Sequence, residues 1–238
     1  IFMIRQQTKK TSFHQGRGEQ SLKIIPLGGC EEVGRNMTVF EYGEDLVILD
    51  MGIQFPEEDM PGIDYVIPNT EYLKGKEKRI KVVIFSHGHL DHIGAAPILL
   101  KKLGNPQIIG RPLTIEMIKH RQEDFDRGSS KKLRAIYVKD LKEIHSFGAF
   151  TLKFFQIDHA IMDAVGVILE TPAAVVIHPG DWTIEKNPIG RKELEYTHLA
   201  KLKRPTILML ESLGSLKTEE SVTEGEMLKN LHQLIGNA

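Results

Sequence analysis

"FSHGHLDHIG", residues 85–94, places His87, His89, Asp91 and His92 within a single short turn of chain. The protein has only 10 histidines in 238 residues, so three of them here ask for a chemical reason. The residues leading into the turn, "IKVVIFSHG" from Ile80 to Gly88, form an almost unbroken apolar run up to the histidines. Such a run is expected of a strand covered on both faces. Alternate side chains of a strand share a face, so His87 and His89 can converge on one ion. If the chain then turns into a helix, Asp91 and His92 can swing toward a neighbouring position. Imidazole nitrogens and carboxylate oxygens suit zinc, manganese or iron, and the hard carboxylate also admits magnesium. Gly88 and Gly94 fit a loop whose backbone takes conformations that a side chain would block.

Four ligands from one turn cannot saturate two ions, so distant partners are required, and they too should lie at strand ends. "FFQIDHAIMDA" ends an apolar run at Asp158-His159, and "VVIHPGDW" ends another at His178 and Asp181. His159 is the natural third nitrogen beside His87 and His89. Asp181 is the natural bridging carboxylate, completing a second position with Asp91 and His92. His178 lies inside its strand and reads as a packing residue or a support for the ligands. Asp158 alternates to the opposite face from His159 and is expected to be exposed.

Around these motifs, short β-branched runs alternate with turn signals. "LKIIPLGG" reads as a strand and "MTVFEYGEDLVILDMG" as a hairpin around Gly43-Glu44-Asp45, with Asp50 at its exit. "IGAAPILLKKLG" has helical spacing and closes on Gly104, and "PLTIEMIKHRQEDF" is a second helix with Thr114 as its N-cap. The middle returns to strands in "EIHSFGAFTLKFFQIDH", "AVGVILETPAAVVIHPGD" and "TILMLES". "RKELEYTHLAKLK", between the last two, has a helical pattern, as does a segment near 219–235. Strands in blocks, interrupted by a few helices, argue for an α/β protein with two sheets packed face to face and helices outside.

Composition sets the limits. With 41% hydrophobic and 26% charged residues the chain can build a full core. The formal net charge of -1 offers no global attraction to a polyanion, so any such affinity needs a local patch or bound metal. The one cysteine, Cys30, excludes an internal disulfide and a thiolate zinc knuckle, and fits a reducing cytoplasm. No run approaches the ~18 apolar residues of a membrane span. Residues 1–20 carry Arg5, Lys9, Lys10 and Arg17 without periodicity and read as a flexible basic arm, leaving 21–238 as one domain. A basic run over Lys119, His120, Arg121, Arg127, Lys131, Lys132 and Arg134 is either a solvated face or a phosphate track. The nearest aromatics, Phe125 and Tyr137, are too few for strong base selection.

The pattern H-x-H-x-D-H, a later lone histidine and a later Gly-Asp resembles the metallo-β-lactamase superfamily. "LGGCEEVGRNMTVFEYGEDLVILDMGIQFPEEDMPGIDYVIPN", "FSHGHLDHIGAAPILLKKLGNPQIIGRPLTIEMIK" and "GVILETPAAVVIHPGDW" are similar to the ribonuclease J family within it, over roughly residues 22 to 225. The resemblance implies a four-layer αββα sandwich with a pair of divalent ions, zinc or else manganese or magnesium, at one edge. It implies His87, His89 and His159 on one ion, with Asp91, His92 and Asp181 on the other, Asp181 bridging. Asp50 would support the histidine loop. The implied partner is RNA, cut at its phosphodiester bonds with Asp91 and Asp181 as catalytic carboxylates.

The chain departs from the family in places. "HAIMDA" has Ala164 where a serine is usual, and "ESLGSLK", Glu211 to Lys217, stands for an Asp-Ser-Thr-Asn type stretch. A β-CASP domain is expected to follow the helix near 219–235, with a final metal histidine after it. His232, in "GEMLKNLHQLIG", is a poor substitute among apolar neighbours. A piece of a longer enzyme, a minimal one with an open ligand position and a homo-oligomer all remain open. So does a β-lactam or small-ester hydrolase, which would use the same dinuclear core.

Overall fold

The computed structural model describes residues 20–186, 188–202, 205–216, 218 and 222–236. Apart from Gln20, the basic arm lies outside them. The first sheet contains β1 (Leu22–Gly28), β2 (Met37–Tyr42), β3 (Asp45–Leu49), β4 (Ile80–Ile84), β5 (Ile108–Gly110) and β6 (Ala135–Tyr137), adjacent in that order. β1, β2 and β3 pair antiparallel, and β3 to β6 pair parallel. The expected hairpin turns on Gly43-Glu44, with Tyr42 opposite Asp45. Gly43 takes φ 58, the left-handed conformation that such a two-residue turn needs.

The second sheet runs β11 (Thr206–Leu208), β10 (Val175–His178), β9 (Val165–Glu170), β8 (Phe150–Gln156) and β7 (His145–Phe147). Its strands meet antiparallel except for the parallel pair β10 and β11. Between the sheets, Phe40, Val47, Leu49, Val82 and Ile84 pack against Phe150, Leu152, Val165, Val167 and Leu169. On the far face of the first sheet, Leu46, Ile48, Val83 and Phe85 meet three helices: α1 (Leu90–Ile93), α2 (Ala96–Lys102) and α3 (Pro112–Phe125). Successive residues of β3 and β4 thus enter different cores, which is why neither strand shows a polar face. On the far face of the second sheet, Phe155, Ile168, Val175 and Ile177 are covered by Trp182, Tyr196, Leu199 and Leu202. The result is the expected four-layer α/β sandwich, with a thin fourth layer.

Three expectations need correction. Where a helix was expected over 191–203, the described residues 191–202 contain only a 3-10 turn at Thr197–Lys201, because Tyr196, Leu199 and Leu202 are held by the sheet rather than aligned on a helical stripe. Thr114 is not the cap of α3: the helix starts at Pro112, whose fixed φ suits a first turn, with Arg111 as N-cap. Thr114 is instead buried inside it. Asp158 is not exposed. Its carboxylate, 11% accessible, accepts a hydrogen bond from Arg191 Nε at 3.1 Å. The same guanidinium grips Glu224 at 2.7 and 2.8 Å, at the start of the final helix α4 (Glu224–Gly236). His232 lies on that helix and is exposed.

Candidate metal centre

The ends of β3, β4, β8 and β10 meet at one edge of the sandwich. Asp50 follows β3, and its backbone N–H donates to Ile84 O at 2.8 Å, beside the turn that carries the histidines. β4 stops at Ile84, so the histidines converge through that turn and not through strand alternation. Gly88 and Gly94 serve the turn through space and not through left-handed backbone. A Cβ on Gly88 would lie 2.5 Å from Met117 Sδ, and one on Gly94 would lie 2.5 Å from Leu90 O. A short helix follows, as expected, and carries Asp91 and His92. Val165 N–H donates to Ser86 O at 3.0 Å, tying the loop after His159 to the same turn. Thr183 N–H donates to Asp158 O at 2.8 Å, setting the segment after Asp181 beside the one before His159.

The side chains arrive as two overlapping groups. His87, His89 and His159 form the first, with His87 Nε2 at 3.1 Å and His159 Nε2 at 3.0 Å from His89 Nδ1. His87, His92 and Asp181 form the second, with His92 Nε2 at 3.4 Å from Asp181 Oδ1. Asp91 Oδ2 lies 3.5 Å from the same His92 nitrogen. All six sequence-singled residues are therefore brought together. His178 stays outside, its Nδ1 accepting the Gly180 N–H at 2.8 Å.

Beneath these groups lies a buried network. Asp50, 2% exposed and at φ 61, accepts the Ser86 backbone N–H on Oδ1 at 2.8 Å and the Ser86 hydroxyl on Oδ2 at 2.8 Å. His92 Nδ1 is 2.8 Å from the same Oδ2, and His87 Nδ1 is 3.0 Å from Ser86 Oγ. A buried carboxylate can only accept, so His92 Nδ1 carries its proton toward Asp50. The Ser86 hydroxyl gives its one proton to Asp50 and accepts from His87 Nδ1. His87 then presents an Nε2 lone pair to the cavity, and Nε2 is the His92 atom left to meet a cation or a proton. Supporting hydrogen bonds of this kind orient metal-binding imidazoles.

The electrostatics agree with a cation site. Burial, then the nearby His92 and His159, hold His87 down at about 2, and burial also lowers His159. These rings are thus neutral, as metal ligands must be. Burial opposes charge on His92, but Asp50 and Asp181 outweigh it and push its pKa up to about 10. Without a metal, a proton occupies the place of positive charge among these carboxylates. Burial likewise raises Asp181, yet the hydrogen bond and charge of His92 hold it at about 2. Three ring nitrogens facing one another, beside a nitrogen and carboxylates that draw positive charge, fit divalent metal.

Two residues of this edge carry no motif signal. Ser86 is the hub described above. Asn36, between β1 and β2, places Nδ2 3.1 Å from His92 Nε2 and 3.4 Å from Asp91 Oδ2. Beside them opens a cavity of about 630 Å³, bounded by Asp91, His92 and Asp181 at one end and by Glu32, Leu213 and Leu216 farther out. The basic run is partly engaged elsewhere: Lys119 with Glu116 and Tyr137, and Arg134 with Asn105 O. Among the described residues, no helix is long and apolar enough to cross a membrane.

Comparison with known proteins places this geometry. Ribonuclease J of Thermus thermophilus is 34% identical over 234 residues, which are 94% of this chain and 40% of that protein. Ribonuclease J of Synechocystis is 31% identical over 221 residues, 92% of this chain and 34% of that protein. The chain therefore spans well under half the length of these relatives. A crystal structure of a protein of unknown function from Enterococcus faecalis V583 superposes with a TM-score of 0.66 at 16% identity, over 91% of this chain and 57% of that one, and so shares the fold. The family model of the metallo-beta-lactamase superfamily matches residues 31–225, across both sheets and every strand that supplies the site, and the chain belongs to that superfamily.

Proposed function

We propose that this protein is a metal-dependent ribonuclease that hydrolyses RNA phosphodiester bonds, with residues 21–238 acting as its catalytic domain. The observation that carries the reading is the meeting of His87 Nε2, His89 Nδ1 and His159 Nε2 beside His92 and Asp181. Similarity to Ribonuclease J across more than nine-tenths of the chain supports RNA as the substrate class. His87, His89 and His159 would hold one divalent ion, and Asp91, His92 and Asp181 the other, with Asp181 shared. When bound, such ions supply Lewis acidity that makes water nucleophilic near neutral pH and neutralises phosphate charge. Zinc suits the imidazole group best, while the carboxylate-rich group also accepts manganese or magnesium.

The chain's own groups do the rest. Asp91, 32% exposed at the cavity end, is the carboxylate placed to take the proton of the attacking water as a general base. Asp181, which joins His87 and His92 in the second group, would help to set the line of attack. Asp50 and Ser86 hold the His87 and His92 rings in the required tautomers. The nearly neutral chain needs this local positive centre to hold RNA. The lone cysteine suits a reducing cytoplasm, where we place the protein.

The test is degradation of end-labelled RNA by metal-loaded protein, with nitrocefin beside it as a competing substrate. RNA products that vanish on chelation and return on adding zinc or manganese support the reading. Nitrocefin turnover without RNA cleavage would move the assignment to a small-molecule hydrolase. RNA binding with no cleavage at any metal concentration would make the protein a non-catalytic binder.

A further inference from the structure

Asn36 is 55 residues from Asp91 in the chain, yet it is fastened to it twice. Its backbone N–H donates to Asp91 O at 3.1 Å, and its side-chain amide lies 3.4 Å from Asp91 Oδ2. Several contacts hold it there. Gly52 N–H donates to Asn36 O at 2.9 Å, and Arg35 N–H donates to Ile53 O at 3.0 Å. Arg35 takes φ 53, a left-handed conformation, immediately before Asn36. Gly52 must be glycine, since a Cβ there would overlap Asp91 O. A loop this closely fitted to one carboxylate-bearing turn fixes where the Asn36 amide points.

The chemistry of the neighbours defines the amide's task. Asp91 can only accept, so the amide nitrogen faces it. The other neighbour, His92 Nε2 at 3.1 Å, is an acceptor only while its lone pair is free. A metal ion on that nitrogen removes the acceptor, and the Asn36 N–H then has Asp91 Oδ2 as its remaining partner. We infer that Asn36 is a positioning residue of the second metal position: its amide donates to Asp91 and holds that carboxylate where it can share a cation with His92. This rests on the metal-dependent reading given above. The Asn36 amide makes its contacts with Asp91 and His92 and not with His89 or His159, so the effect is confined to one of the two positions.

Calorimetric titration of metal-free protein with zinc, repeated with manganese, tests this directly. The wild type is expected to bind in two steps. Asn36→Ala should leave the tighter, imidazole-based step unchanged and weaken the second by roughly 10–100-fold. Asn36→Asp, which has the same shape but no donor, should not restore it. If Asn36→Asp bound the second ion as tightly as wild type, the residue would be an oxygen ligand and the donor role would be wrong. Two unaltered steps in Asn36→Ala, or loss of both steps together in both variants, would also overturn it. A wild type that takes up no metal would instead remove the reading on which it rests.

Discussion

Replacing Ser86 by alanine probes the support of the site while every proposed ligand is kept in place. The residue is fully buried, and its hydroxyl links Asp50 Oδ2 at 2.8 Å with His87 Nδ1 at 3.0 Å. Alanine fits the space but removes a hydrogen bond to a buried carboxylate, worth about 1.5–3 kcal/mol. It also strands the His87 Nδ1 proton, a further cost on the order of 1–3 kcal/mol. The two losses share one hydroxyl and overlap, so the expected destabilisation of metal-free protein is about 2–4 kcal/mol. Freed from Ser86, the His87 ring can put its proton on Nε2, the atom that faces the cavity. Zinc affinity should then fall by roughly 10–100-fold. Urea unfolding of the metal-free protein measures the first effect, and competition against a zinc chelator the second. Ser86→Thr keeps the hydroxyl and should recover most of the affinity. Wild-type zinc affinity in Ser86→Ala would refute the reasoning, because the tautomer of His87 would then be set by something else.

Other perturbations give independent checks. His87→Ala and Asp181→Ala should each abolish RNA cleavage while leaving the circular dichroism spectrum nearly unchanged; retained turnover in either would defeat the assignment. Gly52→Ala forces a methyl into the Asp91 carbonyl, and chemical denaturation should show a loss of about 3 kcal/mol, whereas a near-neutral result would mean that the Asn36–Asp91 contact is loose. Glu41 is 9% exposed and is held at about 2 instead of the ordinary 4.5; burial opposes this, but the Tyr72 hydroxyl at 2.7 Å, Lys23 and Lys76 outweigh it. A lowered carboxylate pKa stabilises the fold above pH 4.5 and loses that effect as pH falls toward 2, so Glu41→Gln should be less stable than wild type by roughly 3 kcal/mol at neutral pH. The gap should close in acid, and a pH-independent gap would exclude ionisation as its cause.

The candidate ligands that the structure gathers were legible because each ends an apolar run: His87 to His92 after β4, His159 after β8, Asp181 after β10. Strand ends at one edge of a sandwich are few, and imidazoles or carboxylates found there have little packing to do. Of the supports, Asp50 was legible through the family resemblance, and Ser86 and Asn36 were not. Ser86 looks like any serine after a strand, and its role depends on Asp50, which is 36 residues away. Asn36 acts across 55 residues, through a loop whose shape comes from Arg35 and Gly52. Thr114 and the stretch 191–202 misled for a related reason. Local pattern favoured a cap and a helix there, while the fixed φ of Pro112 and the packing of Tyr196, Leu199 and Leu202 on the sheet decided otherwise.

The most direct measurement is the metal content of the purified protein and of its His89→Ala and Asp91→Ala variants, determined by elemental analysis after dialysis. A pair of divalent ions per wild-type chain, with each variant losing metal from its own position, is the expected result. A wild-type chain that retains no divalent ion, and whose RNA cleavage survives exhaustive chelation, would contradict the metal centre itself.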